Sequence, residues 1–148
     1  MKIFVGVITL LILFGGVWLF KAPQGDDPEV IATRGIHWHP HLEIYVKGEK
    51  QDIPADLGVG PQYAGMPTFD PAMRMTAVHT HEPDGTIHFE FPARVTREDT
   101  KLGNFFRIWN KDFRAFGRTV VMTVNGEENA ELDEYEMKDG DKIVLRYE

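Results

Sequence analysis

Residues 86–109 read TIHFEFPARVTREDTKLGNFFRIW and carry a strand signal followed by a helix signal. In TIHFEF, apolar and polar residues alternate, which is typical of a strand with one face in a core. The apolar side is formed by Ile87, Phe89 and Phe91. His88 and Glu90 point to the opposite side, and Pro92 ends the strand.

The segment 96–109 predicts a helix. Thr96 or Thr100 can cap its start, and acidic residues follow Thr96 in the first turn. Four apolar residues then recur at i, i+3, i+4 and i+7, namely Leu102, Phe105, Phe106 and Trp109. We expect this stripe to pack on a sheet rather than to line a cofactor site.

Further strands flank this unit on both sides. HLEIYV (41–46) alternates and leads through KGEK into a short strand, QDIP (51–54), whereas residues 54–76 predict a long loop. RTVVMTVNG (118–126) predicts a strand with an Asn-Gly turn, and DGDKIVLRYE (139–148) a turn and a final strand. The order indicates an α+β fold with a mixed sheet and one packed helix.

This order resembles the β-grasp (ubiquitin-like) fold, most clearly over residues 86–147. It is similar to the C-terminal domain of cobalamin carriers, where a helix with a Leu-Gly or Leu-Leu pair also precedes a VNG strand and a final GD turn. The resemblance implies a β-grasp-like sheet and gives almost no information about function.

Residues 36–148 also resemble a family of membrane-anchored extracytoplasmic proteins of archaea and bacteria. The shared motifs are IPAD (53–56), HTHEPDGTIH (79–88) and LGNFF (102–106), preceded by a His-x-His element. In the first element Pro40 separates two histidines, which leaves open which two of His37, His39 and His41 correspond. The resemblance implies domain boundaries and an extracytoplasmic location.

The N-terminal residues predict a membrane anchor. Residues 3–20 carry no charge, and eighteen helical residues span about 27 Å, close to the hydrocarbon thickness of a bilayer. Bulky residues at the end of the run favour a retained signal-anchor over a cleaved signal peptide. Lys2 places the N-terminus in the cytoplasm. We therefore expect a single-pass anchor over 1–21, a linker over 22–35 and an extracytoplasmic domain over 36–148.

Composition excludes several classes of function. The formal charge is −7 and no basic stripe occurs, so nucleic acid is not an expected partner. The absence of cysteine excludes disulfides, thiolate catalysis, iron–sulfur clusters and cysteine-type zinc sites. The acidic segment 125–142 lacks the spacing of an EF-hand and is interpreted as a solvated face or loop.

All six histidines lie between residues 37 and 88, in two His-x-His elements and one further histidine. Extended backbone sends alternate side chains to one face, so each element can present two imidazoles to one ion. We predict a metal site from His39, His41, His79, His81 and His88. Whether His37 belongs to it is left open, and Glu43, Glu82 or Glu90 could be a fourth ligand or orient a ring.

Imidazole suits both copper and zinc. Thioether sulfurs shortly before His79 slightly favour copper, and they belong to Met66, Met73 and Met75. The expected function is a tethered domain that buffers, delivers or senses copper or zinc outside the membrane. One alternative is an accessory subunit of a membrane complex that holds no metal and contacts a membrane-protein partner. The other is a small metal-dependent enzyme. We expect no enzyme, because no catalytic residue can be named.

Overall fold

The structure is a computed structural model that describes residues 27–148. The expected α+β class is confirmed, with sheet far more abundant than helix. The expected membrane anchor lies outside the described residues. Within residues 27–148, no helix has both the length and the apolar character needed to cross a bilayer.

Twelve strands and two short α-helices make up the described part. The strands are β1 (Val30–Ala32), β2 (Ile36–Trp38), β3 (His41–Val46), β4 (Glu49–Gln51), β5 (Phe69–Asp70), β6 (Met75–Thr76), β7 (Val78–His79), β8 (His88–Phe91), β9 (Val95–Thr96), β10 (Val120–Val124), β11 (Glu127–Glu128) and β12 (Lys142–Tyr147). The helices are α1 (Arg97–Thr100) and α2 (Leu102–Ile108), and 3-10 turns occupy Pro61–Tyr63 and Leu132–Glu134.

A five-stranded sheet forms the main layer, in the order β11-β10-β12-β3-β4. Its central pair, β3 and β12, is parallel, and its other pairs are antiparallel. The Asn125-Gly126 turn joins β10 to β11 with positive φ at both residues (54° and 89°), as the sequence predicts. Lys47-Gly48 makes the same kind of two-residue turn between β3 and β4.

One face of this sheet forms the core with α2. The parallel register places Leu42 beside Ile143 and Ile44 beside Leu145, and all four side chains are buried. The helix contributes the predicted apolar residues Leu102, Phe105 and Phe106, which are at most 1% exposed, while Trp109 packs at the edge of the core. Burial of this continuous apolar layer supplies the main stabilisation of the fold.

A second, three-stranded sheet is ordered β2-β8-β7 and carries three of the six histidines, His37, His79 and His88. It faces the main core with Phe89 and Val78, both 0% exposed. Because Phe89 points inward, His88 and Glu90 point to the other side of β8, as strand alternation predicts. Packing of Phe89 in the core therefore determines that His88 lies on the face of this sheet that points away from the core.

Three boundaries differ from those predicted. The single helix expected over 96–109 is divided at Lys101, whose extended backbone (φ −62°, ψ 141°) forms a bridge to Glu136. Instead of the strand expected at 51–54, β4 occupies Glu49–Gln51, because the preceding turn needs only two residues. The expected linker 22–35 contains β1, whose apolar residues pair with β9.

The acidic segment is not uniformly solvated, because Asp141 is only 6% exposed. Its carboxylate accepts hydrogen bonds from the Tyr135 hydroxyl (2.8 Å), the Lys138 amide (2.8 Å) and the Asn125 side chain (3.0 Å). Its carbonyl accepts the His41 amide at 2.8 Å, where β3 and β12 begin side by side. Asp141 therefore ties two turns and the parallel strand pair together.

We expect Asp141→Ala to lower the free energy of unfolding by about 3 kcal/mol, because it leaves buried donors without an acceptor. The control is Glu127→Ala, which removes an exposed carboxylate from the same segment and should change stability by less than about 0.5 kcal/mol. Urea denaturation of both variants measures the difference. Equal stability of the two variants would contradict the structural role of Asp141.

Candidate metal centre

The centre is built on the hairpin of β7 and β8. The antiparallel register places His79 directly opposite His88, and the turn through Asp84 and Gly85 returns the chain between them. The two imidazoles are stacked with centroids 5.4 Å apart and an interplanar angle of 11°. Cross-strand neighbours thus become two candidate ligands of one ion.

His81 completes the group from the end of β7. It lies two residues after His79, so its ring projects to the same side. The His81 ring centroid is 4.7 Å from that of His79 and 4.8 Å from that of His88. One ring nitrogen from each of the three histidines lies within 4.8 Å of the others, so this group could hold a metal ion.

The nitrogen separations are close to those of a bound site. Nε2 of His79 and Nε2 of His81 are 3.1 Å apart. Two nitrogens that bind one tetrahedral ion at about 2.1 Å lie about 3.4 Å from each other. The remaining nitrogen separations do not exceed 4.8 Å.

The Thr76 carbonyl determines the tautomer of His79. Nδ1 of His79 lies 2.9 Å from this carbonyl oxygen, which can only accept, so Nδ1 carries the proton. Nε2 of His79 is then a hydrogen-bond acceptor, and it lies 3.1 Å from Nε2 of His81. A backbone carbonyl on the remote ring nitrogen is the usual device that orients a metal-binding histidine.

Burial keeps His79 and His88 neutral. The His79 side chain is 0% exposed, and this burial lowers its pKa to about 4, although the Thr76 hydrogen bond opposes the shift. Burial also lowers the pKa of His88, with a smaller contribution from His81. At neutral pH both imidazoles therefore present lone pairs rather than positive charge, which is the state that metal ions require.

The long loop before β5 holds the segment 76–80 in place. The Thr80 hydroxyl donates to the Pro54 carbonyl (2.9 Å) and accepts the Leu57 amide (3.0 Å). Gly58 has φ +77°, and a Cβ there would lie 2.7 Å from the Val78 carbonyl oxygen. Only glycine fits this approach, so the loop backbone packs directly on the strand that carries His79.

His39 lies beside the group of three, whereas His41 lies outside it. The His39 ring packs edge-on against His88, with centroids 4.9 Å apart. His41 starts β3 in the other sheet, and its Nε2 lies 3.9 Å from Glu43. The shared face predicted for His37, His39 and His41 requires Pro40 to keep the segment extended, but Pro40 lies between β2 and β3, and His41 belongs to the other sheet.

Two of the four residues that the sequence left open, His37 and Glu90, lie near the group. Nε2 of His37 is 3.3 Å from Oε1 of Glu90, and the same oxygen is 4.0 Å from Nδ1 of His88. Glu43 instead pairs with Lys50 at 2.7 Å, and Glu82 is exposed in the turn. Glu90 therefore has a carboxylate oxygen within 4.0 Å of a ring nitrogen of His88, a member of the group.

A pocket of about 610 Å³ adjoins the centre and includes His79 and Glu90 in its wall. Two of the three loop methionines line it, Met73 at 58% exposure and the half-buried Met75. Sequence reasoning did not find this pocket, because its shape depends on the β5–β6 hairpin. It also missed the Thr76 carbonyl, since a backbone group has no sequence signal.

No protein-family model, no curated protein and no solved structure matches the chain. The positions and chemistry of the site's own side chains are therefore the evidence for its function. Three imidazoles converge on one point, and one of them, that of His79, is fully buried.

We expect the metal-free protein to lose about 2 kcal/mol of stability between about pH 7 and about pH 5 through His79 alone. The folded-state pKa of about 4 lies below the unfolded value of 6.5, so the unfolded state takes up the proton first. The contribution is complete above pH 6.5 and is lost as the pH falls toward 4. Urea denaturation with a chelator present, at both pH values, measures it.

The matched variant is His79→Asn, whose amide can donate to the Thr76 carbonyl but does not titrate. Its stability should depend less on pH by about the same 2 kcal/mol. An unchanged pH dependence in this variant would show that His79 is not held neutral by burial.

Proposed function

We propose that the chain is a membrane-anchored, extracytoplasmic domain that binds a copper or zinc ion through clustered histidines and buffers, delivers or senses that ion. The observation that carries the proposal is the convergence of His79, His81 and His88. The anchor and the location rest on the N-terminal sequence alone.

The ligand chemistry supports copper or zinc over harder ions. Neutral imidazole is a borderline donor that binds zinc, copper and nickel well and calcium or magnesium poorly. Three histidines leave one position of a tetrahedral zinc open, and they also fit tetragonal Cu²⁺. The methionines in the adjoining pocket add slight support for copper.

Exposure differs across the group in a way that suits exchange of the ion. His79 is fully buried, His88 is partly buried and His81 is exposed. An ion held there would be fixed by the buried ligand and would be reached by solvent or an acceptor from the His81 side. A site closed on every side would retain its ion structurally, whereas this arrangement favours buffering or delivery.

We also propose that the main sheet is of the β-grasp type. Support comes from its central parallel pair, β3 and β12, with an antiparallel neighbour on each side. The helix α2 lies between the two halves of the sheet in sequence and packs on its core face. This fold assignment carries no functional weight.

A metal-dependent enzyme is a second candidate, favoured by the pocket of about 610 Å³ that shares His79 and Glu90 with the centre. An open metal position beside a pocket is the arrangement in which a bound ion polarises a substrate or activates water. Release of product from a panel of small esters and phosphoesters by the metal-loaded protein tests this candidate. Turnover that disappears in His79→Ala would favour it over storage or delivery.

The direct test uses the full chain, purified in detergent, stripped with a chelator and titrated with Zn²⁺ and Cu²⁺ by calorimetry. We expect at least one ion to bind more tightly than about 10 μM, or about −7 kcal/mol. The double variant His79→Ala with His81→Ala should lose this binding. The matched control is His41→Ala, which should retain it because His41 lies outside the group.

If neither ion binds at that affinity, the metal proposal fails and the accessory-subunit alternative is favoured. If His41→Ala weakens binding as much as the double variant does, the group of three is not the site.

A further inference from the structure

A second cluster of potential ligands lies directly beside the group of three. His37 and His39 have ring centroids 4.8 Å apart, and His39 lies 4.9 Å from His88. Five histidine rings therefore form a continuous series in the order His37, His39, His88, and then His79 and His81 together. The ion in the proposed function is bound by His79, His81 and His88. His37 and His39 have no role in that function.

Glu90 joins the two clusters. Strand pairing in β2–β8 places His37 directly opposite Glu90, and their side chains meet with Nε2 and Oε1 3.3 Å apart. The same oxygen lies 4.0 Å from Nδ1 of His88, a candidate ligand of the first ion. A carboxylate between two groups of nitrogen ligands is suited to offset the repulsion between two neighbouring cations.

The backbone holds the second cluster, which consists of His37, His39 and Glu90 and is called the outer cluster below, in position. The His39 amide donates to the Asp139 carboxylate at 2.8 Å, and the buried Pro40 follows at once. The side chains themselves are accessible, since His37 is 66% exposed and Glu90 is 37% exposed. The outer cluster is therefore preformed in its backbone and open to an ion from solvent.

We propose that His37, His39 and Glu90 bind a second divalent ion of the same borderline class, such as Zn²⁺ or Cu²⁺, beside the ion held by the group of three. The inference rests on the proposed function, because the second ion is defined by its position next to the first. The outer ion binds more weakly, since its ligands are exposed and the first ion repels it. At saturation the protein holds two ions.

Zinc titration of the full chain in detergent tests the number of ions. The wild type should bind two equivalents, the second at least about tenfold more weakly than the first. His37→Ala with His39→Ala should bind one equivalent and keep the affinity of the tight phase within about threefold. Glu90→Gln keeps the shape and removes the charge, and it should weaken the second phase more than the first.

The control His41→Ala should behave as the wild type does, with two equivalents. Cu²⁺ gives a spectroscopic check, because two paramagnetic ions at neighbouring sites couple magnetically. The second equivalent should therefore broaden the electron paramagnetic resonance signal of the first and add a half-field transition. In His37→Ala with His39→Ala, the half-field transition should be absent.

One bound equivalent in the wild type would overturn the second ion while leaving the proposed function intact. Loss of the tight phase in His37→Ala with His39→Ala would also overturn it, because His39 would then be a fourth ligand of a single ion. Absence of binding in every arm would refute the proposed function and the second ion together.

Discussion

The centre depends on one hydrogen bond, from Nδ1 of His79 to the carbonyl of Thr76. The bond is buried, so it sets both the ring orientation and the tautomer without competition from water. Nε2 of His79 is thereby fixed as a lone pair at the point where His81 and His88 meet. The loop that packs on segment 76–80 through Gly58 holds the carbonyl itself in position.

The two sheets have different roles: the main sheet forms the core with α2, and the smaller sheet presents the candidate metal ligands. The main sheet, with its parallel pair β3 and β12, buries the apolar core with α2. The smaller sheet β2-β8-β7 contributes Phe89 and Val78 to that core and presents histidines on its other face. Strand alternation therefore couples core burial to ligand presentation, since shifting β8 by one residue would bury His88 and expose Phe89.

The positions of His79 and His88 could be predicted from the sequence, because they depend on the local geometry of one hairpin. Two strands of alternating pattern joined by a short turn place His79 and His88 opposite each other almost without tertiary information. The apolar stripe of α2 was equally predictable from its period. The break at Lys101 was not, because it depends on a bridge to Glu136, far along the chain.

The placement of the first His-x-His element could not be read from sequence. His37, His39 and His41 alternate, yet Pro40 lies between β2 and β3, so His41 joins β3, His37 pairs with Glu90 on β8, and His39 lies in neither strand. Which strands neighbour one another is a long-range property. The burial of Asp141 and the pocket beside His79 also required the assembled fold.

X-ray absorption spectroscopy of the protein loaded with one equivalent of zinc or copper tests the central claim most directly. The account predicts a first shell dominated by nitrogen at about 2.0–2.1 Å, with the outer-shell scattering pattern of about three imidazole rings. The pattern should fall to about one ring, or the ion should be lost, when His79 and His81 are both replaced. A first shell of oxygen with no imidazole scattering would contradict it.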